Sequence, residues 1–308
     1  MNLRQLQCLC AVVDANFNIS RAADFLHATQ PAVSKQLQQF EKDLGEALLL
    51  RQGGRPVALT EVGERVLGWA RRAVRCSGHI KELGHVGASK GRRTIEVATS
   101  HAHANYVLLP AIMAFRRRCP LLSIKVRMGN PDEVAGLVRD GMASLGVTHR
   151  PNDLPRDTVA VPFLSSSQLL VMPTGHPLQN ERNFGLEAIA RYPLVIQSPS
   201  RPQGAQVARS FQKAGIEVKV TVEALDADVI KTYVGAGLGV GVIPAFTYSP
   251  GKDIGLAVRD VAYLFDPAVS VILLRRHGNL KKYLFDFIAE LSPALDQSVL
   301  EAHMGASV

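Results

Sequence analysis

The segment from Ser20 to Leu44 is the feature that most restricts how this chain can fold. A short helix is predicted over Arg21–Leu26, and after a tight turn a second helix is predicted over Ala32–Leu44. Pro31 falls in the first turn of the second helix, where its missing N–H costs nothing, and Gly45 ends that helix. Two short helices that meet across a tight turn predict a helix-turn-helix.

The second helix has a polar face that suits DNA. Amide and lysine side chains can read base edges, while serine and lysine can hold phosphates. An α-helix fits the major groove, and residues 49–59 predict a two-stranded wing that follows the flanking backbone. The same polar residues would also form the solvated face of a small helical bundle. The candidate DNA-binding residues are Ser20, Thr29, Gln30, Pro31, Ser34, Lys35, Gln38, Arg51 and Arg55.

The charge of the chain is unevenly distributed. The formal net charge is +8, and residues 1–93 hold 14 Lys and Arg against 8 Asp and Glu, which leaves 21 against 19 for the rest. This pattern predicts a polyanion-binding head on a nearly neutral body, and its DNA contacts should weaken as salt rises. No apolar run reaches the roughly 18 residues of a membrane span, and no signal peptide is recognisable, so we expect a cytoplasmic protein with no membrane partner.

The predicted secondary-structure pattern changes after residues 84–93. This stretch is rich in small, polar and basic residues, and we interpret it as a linker. Beyond it, strands alternate with helices, a pattern that predicts a mainly parallel α/β fold. Two similar halves, followed by a strand and helix that return to the first, indicate a two-lobed clamp like a periplasmic binding protein. The predicted domains are 1–60 for DNA binding, 61–93 for a linker helix and hinge, and 94–308 for effector binding, with lobe I at about 94–163 and 269–308 and lobe II at about 164–268.

The long linker helix, predicted from Glu61 to Leu83, predicts a dimer. Its apolar stripe is too long for so small a domain to bury alone, and Trp69 is expected to pack rather than to do chemistry. The stripe consists of Val62, Val66, Trp69, Ala70, Ala73, Ile80 and Leu83. A dimer would present two recognition helices to a partly palindromic site.

These motifs together resemble a known family. The ordered pattern from Ala22 to Gly45, followed by Arg51, Leu59-Thr60 and Gly63, is similar to the winged helix-turn-helix signature of LysR-type transcriptional regulators. The resemblance covers essentially the whole chain, with Leu49 in place of the usual Phe. It implies a regulator that is not an enzyme and binds promoter DNA and a small effector. It further implies a homodimer that commonly forms a tetramer, with RNA polymerase as a possible partner.

Three segments narrow the resemblance to a sulfur-regulating branch of this family. They are residues 99–106, residues 226–241 and residues 264–266. In that branch the loop after the first strand binds sulfate or an acetylserine-like molecule between the lobes, which implies a sulfate, thiosulfate or acetylserine-like effector here and no other cofactor. The candidate effector-binding residues are Thr99, Ser100, His101, Ala102, His103, Thr148, His149, Ser166, Ser200 and Gln203.

The position of this loop in the fold favours binding of an anion. Ligands of open α/β folds bind at the carboxyl ends of parallel strands, and free N–H groups at a helix N-terminus favour negative charge. His101 and His103 would attract an anion if protonated, although a structural histidine pair is an equally good interpretation. The branch usually has a hydroxyl residue in place of Ala102, Gln in place of His103 and Thr in place of His149, so a different acidic metabolite stays open.

The sequence gives less support for a dinucleotide site, a metal site or a catalytic site. The glycines from Gly235 to Gly241 lack the dinucleotide spacing and follow a helix, the reverse of the required order. His101-x-His103 has no Cys, Asp or Glu beside it in sequence, so no metal site is expected. The alternative function is a small-molecule binding protein or enzyme with an accessory basic domain, but no nucleophile and base pair is recognisable.

Overall fold

The computed structural model describes residues 1–84, 94–276, 278 and 280–305, and within the linker helix it leaves out the side chains of residues 75, 76 and 79–84. The chain forms two compact units, residues 1–91 and residues 92–308. Nearly all of the predicted linker therefore lies outside the described residues. No described helix is both long and apolar enough to cross a membrane.

Unit 1 is a helical domain with a two-stranded wing. Its elements are α1 (Leu3–Asp14), α2 (Ile19–Phe25), α3 (Gln30–Leu44), β1 (Leu49–Gln52), β2 (Arg55–Leu59) and α4 (Glu61–Gly84). The two strands pair antiparallel. The helices pack on one buried cluster that includes Leu9, Val12, Ala22, Ala23, Val33, Leu37 and Phe40. The predicted helix-turn-helix and wing are both present.

Local signals explain where these helices begin and end. The side chain of Asn18 accepts a hydrogen bond from the backbone N–H of Arg21, which starts α2. Pro31 occupies the first turn of α3, and Gly45 ends it with a left-handed φ of 74°. Thr29 precedes α3, but its hydroxyl makes no capping hydrogen bond.

The junction between the wing and α4 requires a glycine. The hydroxyl of Thr60 accepts from the N–H of Gly63 and donates to the carbonyl of Ala47, which anchors the start of α4. A Cβ at Gly63 would lie only 2.1 Å from the carbonyl oxygen of Leu48. This close approach accounts for the spacing from Thr60 to Gly63.

The linker helix is only partly covered within unit 1. Leu67 and Ala70 are buried, whereas Trp69 leaves 67% of its surface exposed and carries the guanidinium of Arg72 over its ring at 4.7 Å. Ile80 and Leu83 of the predicted stripe lie outside the described side chains. Trp69 therefore does not pack in the core of its own chain.

Unit 2 contains two five-stranded sheets. The sheet of lobe I has the order β4-β3-β5-β12-β6, and the sheet of lobe II has the order β11-β7-β10-β8-β9. Lobe I uses β3 (Thr94–Thr99), β4 (Ser123–Met128), β5 (Leu145–His149), β6 (Thr158–Ser166) and β12 (Ala268–Arg275), and lobe II uses β7 (Gln168–Pro173), β8 (Leu194–Gln197), β9 (Val220–Ala224), β10 (Val240–Pro244) and β11 (Leu256–Asp260).

The sheets are mixed rather than mainly parallel, which corrects the sequence prediction. In each sheet two pairings are parallel and two are antiparallel. The unpredicted strands β6 and β11 and the returning strand β12 supply antiparallel pairings. The chain crosses between lobes directly from β6 to β7 and returns through β12.

Helices cover both faces of each sheet. They are α5 (His101–His103), α6 (Leu109–Arg118), α7 (Pro131–Arg139), α8 (Leu186–Ala190), α9 (Pro202–Lys213), α10 (Ala227–Gly235), α11 (Lys282–Leu291) and α12 (Gln297–Gly305). A π-helical turn at Ala104–Leu108 joins α5 to α6. The segment expected to be a loop after β3 is therefore helical from His101 onward, with Ser100 at its N-cap.

Candidate functional site

Most of the candidate DNA-binding residues of unit 1 lie on α3 or at its start. Thr29, Gln30, Lys35 and Gln38 are exposed, and Ser34 is half-buried between them and the core residue Val33. Among the other candidates, Ser20 and Pro31 are exposed. One stretch of α3 therefore combines buried apolar side chains with exposed amides and an exposed lysine, as a groove-reading helix requires.

The two wing arginines differ. Arg51 forms an ion pair with Glu41, at 2.9 Å between Nη2 and Oε2, and Glu41 also accepts hydrogen bonds from the N–H groups of Leu48 and Leu49. Arg55 is exposed. Arg51 therefore helps to hold the wing on α3, which leaves Arg55 the better placed of the two to meet a phosphate.

A cleft of about 320 Å³ lies between the two lobes of unit 2. Four helices begin at its wall, namely α5 and α7 from lobe I and α9 and α10 from lobe II. The lining includes Ser100, His101, Ala102, Asn130, Glu133, His149, Gln197, Arg201, Gln203, Asp226 and Thr247. Because helix N-termini carry partial positive charge and free N–H groups, this wall favours an anion.

The four helix starts are not equivalent. Asn130 and Asp226 cap their own helices by accepting from the N–H groups of Glu133 and Val229. Ser100 and Arg201, at the starts of α5 and α9, make no side-chain capping hydrogen bond. One uncapped helix start from each lobe therefore borders the cleft.

Arg201 is a cleft residue that was not among the predicted effector-binding residues. It lies at the N-cap of α9, lines the cleft and is half-buried. Gly204 lets α9 come this close, because a Cβ there would lie 2.2 Å from the carbonyl oxygens of both Gln197 and Ser198. A glycine soon after an arginine and a proline was the available signal, but nothing local distinguishes it from an ordinary helix start.

The predicted effector residues divide into two groups. Five of them line the cleft, namely Ser100, His101, Ala102, His149 and Gln203. The other five do not line it. Thr99 donates to the carbonyl of Val147, Ser166 donates to the carbonyl of Ser167, Ser200 bonds Ser198, and the buried Thr148 hydroxyl has no partner within the described part of the chain.

The fifth, His103, lies fully buried behind Ser100. Its ring meets His149 edge-on, with the ring centroids 4.7 Å apart, and packs against Phe246. Burial, and then the proximity of His149, hold the pKa of His103 well below its ordinary value. Burial also lowers the pKa of His149, although its hydrogen bond to the carbonyl of Val269 opposes this. The low pKa favours the neutral imidazole, so the protonated ring that would attract an anion is disfavoured at His103.

Polar residues from the two lobes join beside the cleft, in a group we call the interlobe clasp: Asn105, Tyr106, Asp228 and Lys231. The hydroxyl of Tyr106 donates to Asp228 at 2.5 Å and accepts from Nζ of Lys231 at 2.7 Å, and Asn105 donates to Asp228 at 3.2 Å. Burial lowers the pKa of Lys231, but its hydrogen bonds to Tyr106, Asp253 and Asp228 outweigh this and raise it above its ordinary range. The clasp residues belong to residues 99–106 and 226–241, which are two of the three segments that carry the resemblance to the sulfur-regulating branch.

His101 also has acidic company that the sequence did not predict. Its Nδ1 lies 3.3 Å from Asp226 and 3.5 Å from Asp228, so these three groups could hold a metal ion. The acidic neighbours come from lobe II, far along the chain. Lys231 already places its ammonium 3.1 Å from Asp228, and this positive charge disfavours a metal cation there.

Comparison with known proteins agrees with this architecture. Residues 3–64 match the family model of the bacterial regulatory helix-turn-helix protein, lysR family, and residues 88–296 match the LysR substrate binding domain. The chain belongs to the LysR family. This regulator is 33% identical over 298 residues to the HTH-type transcriptional regulator SsuR of Burkholderia cenocepacia, covering 97% of each chain. It is 31% identical to CysB of the same organism, over 98% of this chain and 96% of that one.

A solved structure is also similar to unit 2. The cofactor-binding domain of the Cbl transcriptional regulator matches with a TM-score of 0.66 and 27% identity, over 71% of this chain and 96% of that one. These matches identify a LysR-type transcriptional regulator with a DNA-binding helix-turn-helix and an effector-binding domain. They do not favour a binding protein or enzyme with an accessory basic domain.

Proposed function

We propose that this LysR-family regulator senses a small oxyanion in the cleft of unit 2 and transmits its binding to promoter DNA held by unit 1. The observation that carries the effector class is the pair of uncapped helix starts, at Ser100 and Arg201, on opposite walls of one cleft. An anion there would accept hydrogen bonds from both helix ends and would offset the charge of Arg201.

The polar residues of the cleft narrow the range of effectors that could bind there. Glu133 and Asp226 are acidic, but an oxygen of each carboxylate already accepts a hydrogen bond at a helix start. Glu133 accepts from the N–H of Asn130, and Asp226 accepts from the N–H of Val229. Gln203 adds an amide beside Arg201. The resemblance of residues 99–106, 226–241 and 264–266 to the sulfur-regulating branch supports sulfate, thiosulfate or an acetylserine-like molecule among small anions, and the similarity to SsuR, CysB and Cbl agrees with that branch.

The proposed switch uses the two lobes. Because Ser100 belongs to lobe I and Arg201 to lobe II, an anion that contacts both favours one arrangement of the lobes. A ligand changes an equilibrium only as far as it binds one arrangement better than the other. We further propose that the protein acts in the cytoplasm as a regulator without enzymatic activity, with RNA polymerase as a possible partner.

The proposed assembly is a homodimer through α4 that pairs into a tetramer. Trp69 supports this, since a large aromatic side chain that is two-thirds exposed on a helix is typical of a covered interface. A dimer would place two copies of α3 on a partly palindromic promoter site.

Thermal denaturation of the full-length protein tests the effector proposal. Sulfate, thiosulfate, sulfite and the acetylserines are each titrated against wild type, Ser100→Ala, Arg201→Ala and the control Ser123→Ala, which removes an exposed hydroxyl at the start of β4. A ligand at about 100 times its Kd stabilises the folded protein by about 2.7 kcal/mol. We expect stabilisation of wild type and Ser123→Ala that is lost in the other two. Stabilisation by none of these anions, or an unchanged response in both cleft variants, would refute the oxyanion.

A further inference from the structure

A buried hydrogen-bonded chain ends at the cleft. The Oγ of Ser100 lies 2.7 Å from Nδ1 of His103, and Nε2 of His103 lies 2.8 Å from the Oγ of Ser270. His103 and Ser270 have no exposed surface, whereas Ser100 lines the cleft. The imidazole therefore links a hydroxyl in the middle of β12 to a hydroxyl that a ligand can reach.

Two neutral tautomers of His103 fit these distances. With the proton on Nε2, His103 donates to Ser270 and accepts from Ser100, so the Ser100 hydroxyl can only accept from a ligand. With the proton on Nδ1, His103 accepts from Ser270 and donates to Ser100, so the Ser100 proton is free for a ligand.

Burial selects between the tautomers. Among the described residues, Nε2 of His103 is the only hydrogen-bond partner of the Ser270 hydroxyl. Protonation of Nε2 would leave the Ser270 proton buried without an acceptor, which carries a desolvation penalty. Protonation of Nδ1 satisfies all three groups and leaves the single unused proton on Ser100, at the cleft. An imidazolium is disfavoured, since desolvation holds the pKa of His103 low.

We propose that His103 is a positioning residue, which together with Ser270 commits the Ser100 hydroxyl to donate into the cleft. The subsite at Ser100 then takes an atom that only accepts, such as an ionised oxygen of sulfate, and disfavours the hydroxyl of a protonated acid. The tautomer rests on the two hydrogen bonds and the burial of His103, whereas its consequence for ligand selection rests on the proposed function.

Nitrogen NMR tests the tautomer in the ligand-free, full-length protein. Histidine labelled with ¹⁵N reports whether each ring nitrogen carries a proton, and the spectrum of His103→Gln identifies the His103 signals. We expect a protonated Nδ1 and an unprotonated Nε2 in wild type. A protonated Nε2, or protons on both nitrogens near pH 7.5, would overturn the proposal whatever the protein binds.

Sulfate titration tests the consequence. Ser270→Ala touches nothing in the cleft but removes the donor to Nε2, and with it the preference for the Nδ1 tautomer. We therefore expect both neutral tautomers in the NMR spectrum and, at equal populations, sulfate affinity about twofold lower. Ser270→Thr keeps the hydroxyl and should restore the Nδ1 tautomer and the sulfate affinity. The control Thr158→Val removes another buried hydroxyl from the same sheet, one that donates to the carbonyl of Pro155.

The outcomes separate the two proposals. Unchanged affinity in Ser270→Ala, or an equal loss in Thr158→Val, would overturn the positioning role. No sulfate binding by wild type, with thiosulfate and the acetylserines equally inactive, would instead overturn the proposed effector class while the tautomer measurement still stands or falls by itself.

Discussion

The two units organise their functional side chains in opposite ways. In unit 1 the polar candidates come mainly from one helix, α3, whose other face builds the core. In unit 2 the cleft collects the starts of four helices, and its walls run from Ser100 to Thr247 along the chain. The first arrangement depends on local periodicity and the second on long-range packing. A single substitution in unit 1 should therefore act locally, whereas one in unit 2 should act on both lobes.

The largest effect should come from the interlobe clasp. Lys231→Met removes a buried ammonium that contacts Asp228 and Asp253, and the two carboxylates then lose their counter-ion. Removing one partner of a buried pair typically costs about 3–5 kcal/mol, and we expect a loss of this size in unit 2. Hydrogen exchange followed by mass spectrometry resolves the two units. The control Lys219→Met removes an exposed lysine, and a loss below about 1 kcal/mol in Lys231→Met would contradict the role of the clasp.

The next largest effect concerns DNA binding by α3. The double variant Ser34→Ala, Lys35→Ala should bind upstream promoter DNA about 100-fold more weakly, since a lost base contact costs about 1–3 kcal/mol and a lost phosphate contact weakens binding further. Effector-induced stabilisation of unit 2 should not change. Lys42→Ala, in the last turn of α3, removes the same charge away from the helix start. Mobility-shift assays at several salt concentrations measure the DNA affinity of each variant. Equal losses of affinity in the double variant and in Lys42→Ala would indicate that only the positive charge matters.

Two glycines allow a matched comparison of the units. At both Gly63 and Gly204 an added Cβ would meet backbone carbonyl oxygens, at 2.1 and 2.2 Å. Overpacking of this kind costs about 1–3 kcal/mol, so each change to alanine should destabilise its own unit by that amount in urea unfolding. Gly136→Ala is the control, because space is open around that helical glycine and alanine should stabilise α7 by about 0.5–1 kcal/mol. Neutral substitutions at both crowded sites would refute the close approaches.

The smallest effect is a difference in acid sensitivity. Burial lowers the pKa of His103, His149 and His176, all in unit 2. The unfolded chain then binds protons near pH 6.5 that the folded chain does not, so stability falls as pH drops below about 6.5. The loss approaches about 1.4 kcal/mol per pH unit for each fully neutral histidine. Melting between pH 7.5 and 5.5 should show a shallower dependence in His103→Gln, and an unchanged slope would contradict the buried neutral state.

The structure agrees most closely with the sequence predictions where the signals are local. Helix caps, Pro31 and the apolar spacing of Val33, Leu37 and Phe40 placed α2, α3 and α4 within a few residues, because the residues next to a helix end determine where it stops. Strands β6 and β11 were missed, since their antiparallel pairing depends on partners far along the chain.

The site in unit 2 could be predicted only as a location. Ser100, His101 and Gln203 were singled out and line the cleft, because the carboxyl ends of strands and the starts of helices can be read from the order of elements. Arg201 and the clasp residues were not predicted. Tyr106 contacts Lys231 only once both lobes have folded and packed together. No spacing pattern in the sequence predicts this contact.

The π-helical turn at Ala104–Leu108 has a consequence for how such chains diverge. A π turn holds one residue more than an α-helical turn, so a helix can lose that residue while its two ends keep their orientations. Ser100 at one end would still face the cleft, and Phe115 beyond the other would still reach the core. The displaced residues would lie within the turn, and they include Asn105 and Tyr106 of the clasp. A single deletion could thus release one lobe from the other while sparing the ligand-binding wall, which makes the coupling between lobes open to evolutionary adjustment by itself.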